Sequence, residues 1–310
     1  METRTIGSLS VSTVGIGCNN FGSRIDARKT AEVVDAAFEK GINFFDTADM
    51  YANGASEEFL GASLRGRRTK AIIATKFAME VEGQGSGAAP EYVRTACDAS
   101  LKRLGTDYID LYQQHVPDPR VPIADTLGAL NELVAAGKVR EIGCSNFSAE
   151  QLVEAGTVSA QLRAARFVSV QNEYSLLHRE PEDDGVLEET ERLGIAFLPF
   201  FPLKAGLLTG KYRKGQPIPE DTRVARFERY NKLLTEDNLE KVEALEEFAR
   251  GRSRSLLQLA ISWLLAHPTV ASVIAGVSSA DQVRNNAAAG EWKLGATDLR
   301  EIDALLRAPA

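Results

Sequence analysis

Short apolar runs and longer stretches of helical period alternate along the chain. The runs, rich in Val, Ile and aromatic residues, fall at 13–17, 43–46, 71–75, 108–113, 139–143, 167–170, 196–200 and 272–275. Their length and composition are those of buried strands. Between them apolar residues return every three or four positions, the period of a helix with one buried face, over 27–40, 90–104, 123–135, 148–156, 183–193 and 280–288. Start and stop signals agree: Asp26 precedes the first helix and Pro90 opens another, while Gly41, Gly105, Gly137 and Gly194 each follow a last turn. Eight strand-helix units in series predict an α/β fold, a (β/α)8 TIM barrel with an N-terminal β-hairpin turning at Gly7-Ser8 and extra helices near the C-terminus, the last over 297–306. No linker or low-complexity segment divides the chain, so one domain over 1–310 is expected. Only 80–89 and 204–232 are long and irregular; both follow strands, and the second could close over a ligand.

Polarity changes abruptly at the C-terminal ends of three runs. GINFFDTADMY (41–51), KAIIATK (70–76) and DYIDLYQQH (107–115) close on Asp46 and Tyr51, on Lys76 and on His115. In a barrel of parallel strands the loops at that rim converge on one mouth, where chemistry is done. The four side chains are then neighbours. A tyrosine has a reference pKa near 10, and a close ammonium favours its phenolate. Opposite charges about 4 Å apart interact by roughly 4 kcal/mol at an effective dielectric of 20, so Lys76, aimed by Asp46, is expected to draw Tyr51 toward neutral pH as a general acid. A neutral His115 would orient a carbonyl oxygen. Singly, each has a plainer role: Asp46 and Lys76 as a structural ion pair, Tyr51 and His115 as rim residues. Together they describe protonation of an oxygen while something else attacks the carbon.

Composition narrows the field. With 310 residues, 44% apolar and 25% charged, the chain has the makings of a large core. A net charge of −7 argues against a general nucleic-acid or acidic-membrane binder. The start, METRTIGSLS, lacks a basic and an apolar leader region, and the greasiest stretch, 256–266, is about half of what spans a bilayer. A cytoplasmic protein is expected, its oligomeric state left open. Cys18, Cys97 and Cys144 have no CxxC or Cys/His ligand spacing, and His178 and His267 have no partners at metal spacing. Buried thiols and no metal site follow.

The motifs Asp46-Thr-Ala-Asp-Met-Tyr51, Thr75-Lys76, Gln114-His115, Gly143-Cys-Ser-Asn-Phe147, Gln171-Asn-Glu-Tyr174 and Gly206-Leu-Leu-Thr-Gly-Lys211, in this order from about Leu9 to Asp303, resemble the serial motifs of the aldo-keto reductases. The resemblance implies a TIM barrel holding NADP(H), with Asp46, Tyr51, Lys76 and His115 as the catalytic set that reduces an aldehyde or ketone to an alcohol. The family also resembles the β subunits of potassium channels, which hold the same cofactor mainly to sense redox state. Those subunits tend to carry Asn at the place of His115, so the histidine favours turnover.

A Rossmann site is disfavoured: Gly15-Ile-Gly17-Cys-Asn-Asn20 lacks the third glycine of GxGxxG and opens no helix. The resemblance implies a cofactor on the barrel rim instead, with Gly17, Cys18, Asn19 and Asp46 beside it. Ser145 and Asn146 match the carboxamide-binding pair, with Gln171 next to them; helix capping by Ser145 or Ser148 is the plainer reading. Phe200 takes the place where the family stacks an aromatic on the nicotinamide. Phe201, Pro202, Leu203, Gly206 and Lys211 follow the segment that wraps the pyrophosphate, and Arg223 matches a further phosphate contact. Gly276, Ser278, Ser279, Gln282, Asn285 and Asn286 would form a phosphate cradle at a helix N-terminus. Many relatives carry Lys or Arg near Ser278; without it, Arg223, Arg284 and the serines are left to select NADPH over NADH.

Overall fold

The computed structural model describes residues 1–220 and 222–307; the last three residues of the expected domain lie outside them. Strands β1 (Thr3–Ile6) and β2 (Leu9–Ser12) form an antiparallel hairpin. Eight parallel strands follow: β3 (Val14–Gly17), β4 (Phe44–Asp46), β5 (Ile72–Phe77), β6 (Ile109–Gln114), β7 (Val139–Ser145), β8 (Phe167–Gln171), β9 (Ala196–Phe197) and β10 (Val273–Gly276). Each pairs with the next, and β10 returns beside β3. The amide of Phe197 donates to Thr269 at 2.8 Å and that of Ala271 to Phe197 at 3.1 Å, which closes the circle. The expected barrel is therefore present, hairpin included.

The strands alternate inward and outward side chains, and this splits the core in two. Phe44, Ala74, Leu111, Val168, Leu198 and Ile274 fill the barrel, and Ile6, Leu9 and Val11 of the hairpin stop its N-terminal end. A larger shell lies between strands and helices. With one end plugged by hydrocarbon, only the strands' C-terminal end can open into a cavity.

Local signals set several helix ends. Asp26 accepts from the Lys29 amide to start Ala27–Glu39, Pro90 opens Pro90–Leu104, and Gly105 and Gly194 end helices in the left-handed region. Tertiary packing overrode others. The helix from Ala149 runs through Gly156 to Leu162. The 183–193 stretch is two helices, Glu180–Asp183 and Val186–Leu193, parted by Gly185 at φ 81°, a backbone that glycine adopts without strain. β9 is two residues long where five were expected, because Phe200 leaves the ladder to bridge Glu173. Helices Ala55–Ser63, Glu236–Arg250 and Leu256–Ala266 complete the outer layer. The 204–232 stretch is wound into short turns, including Lys204–Thr209 and Arg223–Arg226.

One arginine ties the hairpin to the far end of the chain. The Arg4 guanidinium donates to the carbonyls of Leu265 at 2.7 Å, Val270 at 2.5 Å and His267 at 3.2 Å, where the Leu256–Ala266 helix ends. Charged donors to neutral acceptors contribute roughly 1.5–3 kcal/mol each, less than additively. Arg4→Ala is expected to lower unfolding stability by about 2–4 kcal/mol in urea titration while leaving the open end of the barrel intact.

Candidate active site

At the open end the polar residues converge. β4 ends on Asp46 and β5 carries Lys76; neighbouring parallel strands put them on one inward face. The Lys76 ammonium donates to Asp46 Oδ2 at 2.7 Å and to the Thr47 carbonyl at 2.9 Å. Asp46 Oδ1 accepts from Gln171 at 2.9 Å and Gln113 at 3.2 Å, so three strands besides its own orient it. Lys76 is fully buried.

Tyr51 follows β4 in a tight turn in which Ala52 and Asn53 are left-handed at φ 50° and 53°. Its half-buried ring lies with Lys76 Nζ 5.2 Å from the centroid and meets the His115 ring edge-on, centroids 6.0 Å apart. The Lys76 ammonium, held by Asp46, also acts electrostatically on the Tyr51 hydroxyl. The backbone of β6 places His115 opposite, its amide donating to Phe77 at 2.8 Å and its carbonyl accepting from Asn146 at 2.9 Å.

The electrostatics correct one expectation. Burial of the phenol raises the Tyr51 pKa; Lys76 pulls against this but loses, with Asp46 pushing the same way as burial. Tyr51 is therefore a protonated phenol at neutral pH, and Lys76 acts on the phenolate only after the proton has left. Burial also opposes the charge on Lys76, but Asp46 and Tyr51 outweigh it and its pKa is raised. His115 behaves as expected: burial first, then the Lys76 charge, pull it down to about 3, so the ring is neutral.

These side chains border a cavity of about 500 Å³. Asp46, Tyr51, His115, Ser145, Asn146 and Gln171 line one part, and Gly17 and Asn19 reach it from β3. Phe200, Phe201, Pro202, Leu203 and Gly206 form a wall; Lys211, Arg223, Gly276, Gln282, Asn285 and Asn286 line the remainder. Five expected residues lie outside the lining: Lys76, buried behind Asp46 and Tyr51, and Cys18, Ser278, Ser279 and Arg284. Cys18 belongs to the hydrophobic core, its thiol directed at the Ile16 carbonyl. Ser279 caps the Ala280–Ala289 helix, and the Ser278 amide and hydroxyl are spent on Gln282. Arg284 is held by Glu39 and Asp281 on the outer surface. Ser145 donates to the Gln171 carbonyl at 2.7 Å, and Ser148 makes the helix cap.

The cavity also takes residues without a sequence signal. Asn20 lines it while donating to the Val277 carbonyl, and Lys204 lines it while paired with Glu173 at 2.5 Å. Arg24 joins Lys211 and Arg223, and Lys211 has its pKa lowered by burial and by those two arginines. Such a gathering of cations only arises from folding, since Arg24 is far along the chain from the stretch that carries Lys211 and Arg223. Phe201, Lys204 and Ala205 are left-handed at φ 56°, 42° and 54°, and Gly206, at φ 92°, leaves room that a Cβ would take from Lys211. Strain of this kind concentrates at ligand sites. Asn19 Oδ1 and His115 Nδ1 are buried without a hydrogen-bond partner among the described residues.

Residues 13–307 match the model of the aldo/keto reductase family. The chain belongs to that family. It is 34% identical over 297 residues to a probable voltage-gated potassium channel subunit beta of Oryza sativa subsp. japonica, across 92% of this chain and 90% of that protein. It is 34% identical over 299 residues to the L-glyceraldehyde 3-phosphate reductase of Escherichia coli (strain K12), across 92% and 86%. Aldo-keto reductase AKR11C1 from Bacillus halodurans, solved in a holo form, superposes with a TM-score of 0.78 at 33% identity, across 98% of this chain and 96% of that one.

In this aldo/keto reductase the ion pair beneath Tyr51 carries stability. Lys76→Met leaves Asp46 as a buried carboxylate without its cation, and removing one partner of a buried pair costs about 3–5 kcal/mol; urea unfolding should show a loss of that size. His115 gives a pH signature. Its folded pKa lies below the unfolded value, so protons favour the unfolded chain. Stability linked to it is complete above the unfolded pKa of about 6.5 and is lost as pH falls toward about 3. An NMR titration should find this ring neutral throughout the range around the reference pKa of about 6.5 in which an unperturbed imidazole protonates.

Proposed function

We propose that this aldo/keto reductase is an NADP(H)-dependent oxidoreductase that reduces an aldehyde or ketone to an alcohol, with Asp46, Tyr51, Lys76 and His115 as its catalytic residues. What carries the reading is the buried Lys76 ammonium, paired with Asp46 and lying 5.2 Å from the centroid of the Tyr51 ring, beside a neutral His115 that lines the cavity with Asp46 and Tyr51. Residues 1–310 are inferred to act as one barrel domain, in a reducing cytoplasm where three unpaired thiols persist.

The raised pKa keeps the proton on Tyr51 until an acceptor arrives. His115, being neutral, can donate from one ring nitrogen to a carbonyl oxygen and hold it near the Tyr51 hydroxyl. As that oxygen gains electrons it becomes a stronger base, and Tyr51 gives up its proton. Lys76 stabilises the phenolate left behind, and Asp46 keeps the ammonium charged and fixed. The same groups run backward would accept a proton from an alcohol.

The cofactor, when bound, supplies the hydride. The cavity fits it on its own chemistry: the unpartnered Asn19 Oδ1 needs a donor, and Arg24, Lys211 and Arg223 favour phosphate. We assign Ser145, Asn146 and Gln171 to the carboxamide, Phe200 to the ring face, and Phe201, Pro202, Leu203, Gly206, Lys211 and Arg223 to the pyrophosphate wrap. The amides before Ala280–Ala289, with Gly276, Gln282, Asn285 and Asn286, would cradle the remaining phosphate. NADPH is preferred because its additional phosphate brings more negative charge to a cationic cavity. A redox-sensing subunit, which the resemblance to potassium-channel β subunits implies, is the second reading and would bind NADPH without appreciable turnover; the chain's similarity to a probable voltage-gated potassium channel subunit beta supports it.

A panel of aldehydes and ketones followed at the NADPH absorbance tests both. The expected outcome is turnover with lower KM for NADPH than for NADH, and a loss of about 10²–10⁴ in kcat in Tyr51→Phe with unchanged NADPH affinity. Equal activity in Tyr51→Phe would remove the assignment of the acid, and an NADH preference that of the cofactor.

A further inference from the structure

Asp49 lies between Asp46 and Tyr51, and its carboxyl group is anomalous. Only 1% of the residue is exposed, and both carboxyl oxygens are buried without a hydrogen-bond partner among the described residues. An ionised carboxylate there would give up its hydration for nothing. Its surroundings do not supply a cation at hand. Fully buried Glu57 adds a second acid, whose own oxygens are taken by Arg103 at 2.6 Å and Thr75 at 2.5 Å. Lys76 is bound to Asp46, and the phenols of Tyr92 and Tyr112 both feel the Asp49 charge as repulsive to their own ionisation.

The backbone couples this carboxyl to the acid. The Asp49 amide donates to the Lys76 carbonyl at 3.1 Å, the Tyr51 amide to Ala48 at 3.2 Å, and the left-handed Ala52 and Asn53 follow immediately. There is little slack in such a turn. A displacement of Asp49 toward water is transmitted to Tyr51 two residues on.

We propose that Asp49 is a positioning residue of the carbonyl reaction, which must carry a proton for the turn to hold Tyr51 at the Lys76 ammonium. The inference rests on the reading of the site as a carbonyl reductase. Burial, with Glu57 adding to it, raises the Asp49 pKa to about 7 against smaller opposing effects of the Met50 amide, Arg103 and Lys76. The neighbouring groups titrate elsewhere: His115 at about 3, with Tyr51, Lys76 and Cys18 all raised from values that were already alkaline. A loss of activity near neutral pH that disappears in Asp49→Asn therefore belongs to Asp49.

The decisive comparison is the pH profile of kcat in the unaltered enzyme and in Asp49→Asn, which imitates the protonated acid. Between about pH 6 and pH 8 kcat should fall about tenfold in the first, as one proton is lost, and less than about twofold in the variant; NADPH affinity should hold in both. The same fall in both proteins, or none in either, overturns the assignment. If no carbonyl is turned over at all, the functional reading fails, and Asp49 is judged by two readouts that need no substrate. The infrared band of a protonated carboxylic acid should be present at about pH 6, fade by about pH 8 and be missing in Asp49→Asn. A folded pKa above the unfolded one means that stability falls as pH rises from about 4 through about 7, so the melting temperature should drop by several degrees more in the unaltered protein than in the variant. A missing band, which needs no variant to see, or equal drops overturn the proposal.

Discussion

The contact between the Lys76 ammonium and Asp46, 2.7 Å long inside the end of the barrel, is the constraint around which the site is arranged. Two charges taken out of water this completely are stable only if their remaining valences are met. Gln113, Gln171 and the Thr47 carbonyl meet them, and the ring of Tyr51 packs over the ammonium, its centroid 5.2 Å from Nζ. The position of Tyr51 is thus tied to the buried pair.

The rest of the architecture supports that pair. The hairpin residues Ile6, Leu9 and Val11 shut the N-terminal end, so the barrel's single accessible end coincides with the charged one. Neighbouring parallel strands hold Asp46 and Lys76 on ladders whose register leaves little freedom, and His115 follows directly on β6. The stretch from Phe201 to Gly206 has left-handed backbone at Phe201, Lys204, Ala205 and Gly206, the last packed against Lys211. Strands carry the buried ion pair, and loops carry Arg24, Lys211 and Arg223.

How far the sequence was informative depended on the range of the forces involved. Helix boundaries set by adjacent residues, such as Asp26, Pro90 and Gly105, were legible, because capping acts over three or four positions. The continuation of the Ala149–Leu162 helix through Gly156 was not; glycine's weak helix propensity is overruled by packing. Cys18 and Ser278 carry the family's spacing yet stand off the cavity, since a one-residue step along a strand or turn reverses the direction of a side chain. Arg24 and Lys204 had no motif to mark them. The expected acidity of Tyr51 had the right partner but the wrong balance, because the cost of burying a phenolate depends on surrounding volume, which no local pattern records.

By itself the sequence determined the alternation of strands and helices, the barrel, and the placing of Asp46, Tyr51, Lys76 and His115 at strand ends. These are consequences of periodicity and of residue order, which the chain carries directly. Only the tertiary structure decided which charges are paired, which oxygens are left without a donor, and how Arg24 meets Lys211 and Arg223. Solvation and Coulomb energies depend on what lies within a few ångströms in space, and for Asp49 or Lys211 that neighbourhood is assembled from segments far apart in the chain.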